Sequence, residues 1–231
     1  MIGSRLFITG SGTDIGKTFL ARALIAQLRR QGVSVDAIKP VITGFDAAKV
    51  AESDAGLLLS ALGLPIDDAH LDRISPWRFG APLSPDLAAA RENREIPFDA
   101  LLDFSSGREH AGVVLIEGVG GVMVPLDRRH TVVDWIAMLE VETVLVTGSY
   151  LGAISHALTA REVLELRGIP LRAIVVSESV DPAVPAVETA GVLERFCGST
   201  KLLVLPRVGT AEEAPDLSSL LEPATTPAQR C

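Results

Sequence analysis

The chain is expected to form an α/β domain, a mainly parallel sheet with helices on both faces. Three features point there. Short β-rich apolar runs alternate with helix-patterned segments along most of the sequence. Residues 113–116 are apolar throughout, as in a strand buried on both faces. A glycine-rich turn joins the first strand pattern directly to the first helix pattern.

Residues 5–9 read as the first strand, ending in glycines. Residues 18–30 place Leu20, Leu24, Ile25 and Leu28 at helical spacing, with Gly32 as the stop. Residues 33–38 read as a second strand closed by Pro40, and 54–62 as a helix. Residues 64–83 carry Pro65, Pro76 and Pro82 with Trp77 and Phe79, and are expected to form an ordered loop over a site. Ser84-Pro85 opens a helix to Asn93, and Pro97 opens another to about Arg108. The strand at 113–116 precedes a helix at 131–139, a strand at 143–147 and a helix at 154–166 that stops before Gly168. Strands at 171–176 and 201–205 flank a helix at 184–196. Strands separated by helices imply right-handed crossovers. From Gly209 the pattern fades, apart from a short helix near 217–221. The organisation expected is one domain over 1–210 and a loosely ordered segment over 211–231, with no internal repeat.

Composition narrows the function classes. Of 231 residues 48% are hydrophobic and 22% charged, enough for one large core and against disorder. The net charge of −8 argues against non-specific binding to nucleic acid or anionic membranes. The two cysteines, Cys197 and Cys231, have no metal-ligand spacing and read as free thiols of a reducing cytoplasm. The first residues lack the pattern of a secretory signal. The longest apolar region, 113–126, contains Glu117 and three glycines and does not fit a membrane span. A cytoplasmic protein is expected.

The most informative stretch is Gly10-Ser-Gly-Thr-Asp-Ile-Gly-Lys-Thr18, between the first strand and the first helix. That is the context of a phosphate-binding loop and implies the P-loop nucleoside-triphosphatase type of fold. Glycines let successive N–H groups converge on phosphate oxygens, and the helix N-terminus adds partial positive charge. Lys17 would reach the β- and γ-phosphates, and the Thr18 hydroxyl would bind Mg²⁺. Ser11 stands where the usual pattern has its first glycine, with Gly10 and Gly12 flanking it. A plain glycine-rich turn that happens to contain Lys-Thr is the bland alternative. The ordered succession of strand, loop and amphipathic helix argues against it.

Glu117 closes the apolar strand and is followed by Gly118, Val119, Gly120 and Gly121. A carboxylate at such a strand tip faces the crevice where α/β sheets bind ligands, and so suits Mg²⁺; in isolation it would be only a capped, solvated turn. Lys39, at the end of the second strand in Lys39-Pro-Val-Ile-Thr43-Gly44, would enter the same crevice. Asp54 opens the next helix, either as its N-cap or as a second carboxylate on the metal, and spacing leaves both open.

Together these segments resemble the dethiobiotin synthases. The phosphate loop, Lys39-Pro-Val with Thr43 and Gly44, Ser53-Asp54 and Glu117-Gly-Val-Gly-Gly121 match family motifs in order. So do Pro125-Leu, Asp134-Trp, Leu151-Gly and Ser155-His-Ala, so the likeness runs from about Arg5 to Pro206. The resemblance implies an ATP- and Mg²⁺-dependent ring closure of 7,8-diaminopelargonate with CO₂, through a carbamate and a carbamic-phosphoric anhydride. It implies catalytic roles for Lys17 and Lys39, with Thr18, Asp54 and Glu117 on the metal. Gly12, Thr13, Asp14, Ile15, Gly16, Phe19, Gly118, Val119 and Gly120 would also line the nucleotide. On the base side stand Ser177, Glu178, Pro206, Arg207 and Val208. Thr43, Ser84, Pro85 and the Gly118 to Gly121 backbone would meet the substrate. The resemblance further implies a homodimer, with the substrate's carboxylate tail held by Leu151, Gly152, Ala153, Ile154 and Ser155 of the second subunit.

Three positions depart from the family pattern. Asp14 replaces Glu, Tyr150 stands where some members have Lys, and Ser177-Glu178 replaces Asn-Asp on the base side. A serine offers fewer donors and acceptors than the amide that reads adenine, so weak base selectivity is expected. The rival reading is a ParA/MinD-like regulatory ATPase. Those proteins carry an early second lysine where this chain has Gly12, and membrane-targeted ones a basic C-terminal helix. Here residues 209–231 hold one basic residue, Arg230. Cobyrinic-acid diamide synthases are a further rival. They need a glutamine-hydrolysing domain with a nucleophilic cysteine, for which this chain is expected to lack room, and Cys197 falls in a helix-patterned segment.

Overall fold

The computed structural model describes residues 4–107 and 110–221. The elements run β1 (Arg5–Gly10), α1 (Lys17–Arg30), β2 (Val35–Ile38), β3 (Val41–Thr43), α2 (Asp54–Leu62), α3 (Asp68–Ile74), β4 (Trp77–Phe79) and α4 (Pro85–Arg91). They continue α5 (Phe98–Ser106), β5 (Val113–Glu117), α6 (Val132–Leu139), β6 (Glu142–Thr147), α7 (Ala153–Leu166), β7 (Leu171–Ser177), α8 (Ala186–Glu194) and β8 (Lys201–Leu205).

Six strands form one sheet in the order β2-β5-β1-β6-β7-β8, and every neighbouring pair is parallel. The sheet core is apolar on both faces: every residue of β5 is buried, as are Leu6, Phe7 and Ile8 of β1. Helices cover it through apolar stripes such as Leu20, Leu24, Ile25 and Leu28 of α1, all buried. Trp135 of α6 meets Phe7 edge-on with ring centroids 4.8 Å apart, and its indole N–H donates to Ser105 Oγ at 3.2 Å.

The chain leaves β1 toward one side of the sheet to build β2 and β5, then crosses to the other side for β6, β7 and β8. The C-terminal end of β1 is therefore a topological switch point, where the neighbouring connections diverge and open a crevice. The strand registers decide what enters it. Ile38 pairs with Ile116 and Ile8 with Glu117, so Lys39, just after β2, stands level with Glu117, and the loop after β1 begins a little beyond it.

Two expectations need correction. Residues 64–83 are not simply a loop. Asp67 Oδ1 accepts the His70 N–H at 2.9 Å and caps α3, and β4 pairs with β3 in a separate two-stranded parallel sheet. The segment over 211–231 was expected to be loosely ordered, yet its described part is packed. Ala211, Leu217 and Leu220 are buried, and Gln27 binds both Pro215 O at 2.7 Å and the Leu217 N–H at 2.8 Å. The far end of the helix expected to reach Arg108, and the tail from 222 with Arg230 and Cys231, lie outside the described residues.

Candidate active site

The phosphate loop is shaped by two left-handed residues, Asp14 at φ 54° and Gly16 at φ 92°. Gly16 is also restricted by space, because a Cβ there would collide with Ser177 Oγ. The Ser11 N–H donates to Val146 O at 2.9 Å and anchors the loop to β6. The N–H groups of residues 13–18 bond no other described group. They stand at the start of α1 as a cradle for an anion. Lys17 folds back over this cradle, its ammonium donating to Gly12 O at 2.8 Å. Burial pushes the Lys17 ammonium down to about 8, and the charge of Lys39 adds to that, against the pull of Glu117, Asp54 and Asp14.

Beside it lies a knot of charge. Lys39 Nζ is 2.5 Å from Glu117 Oε1 and 3.0 Å from Asp54 Oδ2, and reaches Gly118 O at 3.3 Å. Burial disfavours its charge, but Glu117 and Asp54 outweigh that and hold the ammonium above the usual lysine range. Burial also pushes the Glu117 carboxyl up, helped by Asp54, while Lys39 and Thr18 pull it back. For Asp54 burial is outweighed by Lys39 and Thr18, so its carboxyl lies below the usual range.

The cap of α2 explains how Asp54 comes to be there. Ser53 Oγ accepts the Gly56 N–H at 3.1 Å and is the N-cap, so Asp54 takes the first helical position with its carboxylate turned to the crevice. Thr18 Oγ1 lies 2.7 Å from both Asp54 Oδ1 and Glu117 Oε1. A hydroxyl has one proton, so it donates to one carboxylate while the other oxygen is held close without a hydrogen bond. The second Glu117 oxygen is buried without a partner among the described residues. Three converging hard oxygens, one carboxylate under-satisfied, suit Mg²⁺.

These groups open into a cleft of about 330 Å³ lined by residues 13–19, Lys39, Thr43, Asp54, Glu117, Val119 and Gly120. A second pocket of about 300 Å³ adjoins it, shares Asp14, Ile15, Gly16 and Phe19, and is walled by Ser177, Glu178, Pro206, Arg207 and Val208. The two expected ends of a nucleotide site are thus contiguous. Arg22, Ser179, Val180 and Gly209 also line this pocket. Of these, Arg22 was legible in principle, three residues after Phe19 on the face of α1 that starts at the phosphate loop.

Other expected residues sit elsewhere. Gly12 and Gly121 line a separate groove of about 460 Å³ beside His156 of α7. Gly118 contributes its carbonyl to Lys39. Ser84 and Pro85 start α4 and line neither part of the nucleotide cleft. Residues 151–155 begin α7, with Leu151 90% exposed, and do not reach the cleft of their own chain.

A family model described as an AAA domain matches residues 4–219. The chain is 46% identical to an ATP-dependent dethiobiotin synthetase from Acidiphilium cryptum, over 96% of this chain and 98% of that protein. It belongs to the dethiobiotin synthetase family. A second member, from Phenylobacterium zucineum, is also 46% identical over 94% of this chain, and one from Bacillus licheniformis 33% over 89%. Among solved structures, the MinD-containing complex from Aquifex aeolicus superposes with a TM-score of 0.52 at 11% identity, covering 89% of this chain and 82% of that one. A ParA family ATPase from Chlorobium tepidum gives 0.50 at 15%, over 95% and 90%. At such identities the likeness shows the fold alone. The knot around Lys39 has therefore to be judged on its own chemistry.

Proposed function

We propose that the chain closes the cyclic urea of dethiobiotin, joining 7,8-diaminopelargonate and CO₂ at the expense of ATP. The observation that carries this is Lys39. A buried ammonium fixed by two carboxylates, beside the phosphate cradle but outside it, is suited to a second anion next to ATP.

One substrate amine adds to CO₂ and loses a proton, giving a carbamate. The carbamate oxygen takes the γ-phosphoryl group and ADP leaves. The other amine then attacks the carbonyl, phosphate departs, and the ring closes. The difficulty lies in the phosphoryl step, where two anions must approach. The phosphate loop and Lys17 hold the triphosphate, and Lys39 offsets the repulsion between carbamate and γ-phosphate. Thr43 lines the same cleft and supplies a hydroxyl to the substrate amines. The N–H groups of Gly118 and Val122 are held by Ile8 O and Gly10 O, both at distances near 3 Å, which pins this turn to β1. Those of Val119, Gly120 and Gly121 bond no described group and are available to the carbamate. Thr18, Asp54 and Glu117 would hold Mg²⁺, which when bound neutralises phosphate charge.

The working form is a homodimer. Residues 151–155 reach no part of their own cleft, and in the dimer they receive the substrate's carboxylate tail from the facing subunit, with Ser84 and Pro85 closing over the substrate. Among the described residues no helix is long and apolar enough to cross a membrane. A small-molecule enzyme of the cytoplasm, without nucleic-acid or membrane partners, fits the acidic composition. The test is phosphate release from MgATP with bicarbonate. Release that depends on added diaminopelargonate is expected; release indifferent to the diamine would point to a plain ATPase instead.

A further inference from the structure

The pocket beside the phosphate cleft has chemistry of its own. Among the described residues it is lined by no asparagine or glutamine, the side chains that offer adenine a donor and an acceptor together. Its charged groups are Asp14, at the end shared with the phosphate loop, and Arg22, Glu178 and Arg207. Glu178 is held in place: its N–H donates to Leu205 O at 2.9 Å, and its Oε2 accepts the Arg207 N–H at 3.0 Å. This ties the turn after β7 to the turn after β8 and leaves Oε1, with the second lone pair of Oε2, as fixed acceptors. The Arg22 and Arg207 guanidinium groups make no ion pair or hydrogen bond among the described residues. Ser179 Oγ is already engaged by the Ser149 N–H at 3.0 Å. What remains for a base includes the rest of the Glu178 carboxylate, the Ser177 hydroxyl and two guanidinium groups, with Asp14 at the phosphate end.

We propose that this pocket takes guanine, so that GTP serves as a phosphoryl donor alongside ATP, with Arg22, Glu178 and Arg207 as specificity-determining residues. The inference rests on the nucleotide reading of the adjoining cleft. Guanine places two donors side by side, N1–H and the N2 amino group, which a carboxylate accepts. It places two acceptors side by side, O6 and N7, which a guanidinium donates to in a bidentate pair. Adenine has an amino group beside N7, so a guanidinium facing that edge meets a donor. It also offers the carboxylate only a single amino group. Uracil carries one donor between two carbonyl oxygens and lacks both adjacent pairs.

The experiment is titration calorimetry of the full chain with Mg²⁺ and GTP, ATP or UTP, without diamine. GTP is expected to bind at least as tightly as ATP, and UTP about tenfold more weakly. Arg22→Met, Arg207→Met and Glu178→Gln are each expected to raise the ratio of GTP to ATP dissociation constants by about tenfold, the worth of one good base contact. Arg22 lies on α1 and braces no loop, so its variant guards against loss of folding at Glu178. An ATP preference of about a hundredfold in the wild type, or a ratio unmoved in all three variants, overturns the assignment. Guanine-selective binding without dethiobiotin formation would refute the proposed reaction and leave the base assignment standing. Failure of every triphosphate to bind would remove both.

Discussion

Lys17 and Lys39 sit in one cleft with different surroundings, and the proposed reaction gives them different tasks. Among the described residues Lys17 has only a backbone carbonyl as its hydrogen-bond partner, and burial disfavours its charge, so an arriving triphosphate would be a natural counter-ion. Lys17→Ala is expected to abolish ATP turnover and weaken ATP binding while circular dichroism stays that of the wild type. Turnover at the wild-type rate in the folded variant would refute the phosphate-loop assignment. Lys39 is already paired with two carboxylates, and in the proposed reaction it would serve chemistry more than capture. Its charge is most valuable where carbamate and phosphoryl group share an oxygen. Lys39→Gln is expected to lower kcat by about 10²–10³, with a much smaller change in the ATP dissociation constant on the same preparation. Equal losses in both would make Lys39 a nucleotide anchor. The tip residues Lys39 and Glu117 were legible in the sequence because each follows a strand pattern. Their contact was not, since it depends on β2 lying beside β5 with Ile38 opposite Ile116. Asp54 was ambiguous for a local reason: two cap formers stand in tandem, and only the hydrogen bond to Ser53 Oγ shows which one caps α2.

At the level of elements, the long periodic segments were readable, and each strand of the large sheet was anticipated within a few residues. The pair β3 and β4 was not. Each has three residues, too few for a period, and they pair across more than thirty positions. The cap of α3 was hidden among prolines and aromatics that suggested a loop. α6 shows a stronger local device. The Asp134 carboxylate accepts the Thr131 N–H and hydroxyl, both at 2.8 Å, and also meets Arg167. Burial alone would raise its pKa, but these partners leave it below the usual range. The stability it confers is therefore present above the unfolded pKa and is lost as pH falls through the lower folded value. Asp134→Asn is expected to cost about 1 kcal/mol at neutral pH and to flatten the acid limb of the stability curve. Urea unfolding across pH checks this, and a variant with an unchanged acid limb would refute the role.

For the whole molecule, the sheet order sets the site, and the proposed dimer turns on the start of α7. The switch point beside β1 brings the phosphate cradle, the Lys39 knot and the turn after β5 together. Leu151, by contrast, is exposed, and residues 151–155 do not line that cleft. Sedimentation is expected to give a species of twice the 24.4 kDa chain mass. Mixing Lys39→Gln with Leu151→Asp subunits is expected to restore part of the activity that each variant lacks alone, because one mixed cleft then has both intact parts; no recovery in mixed dimers would place the tail site within one chain. The central claim is that this fold uses ATP to install a carbonyl between two amines. The direct measurement is mass spectrometry of the product after turnover with ¹³C-bicarbonate, diaminopelargonate and MgATP. The account expects a cyclic urea carrying one ¹³C at its carbonyl, formed together with one ADP. ADP without the labelled urea would contradict it.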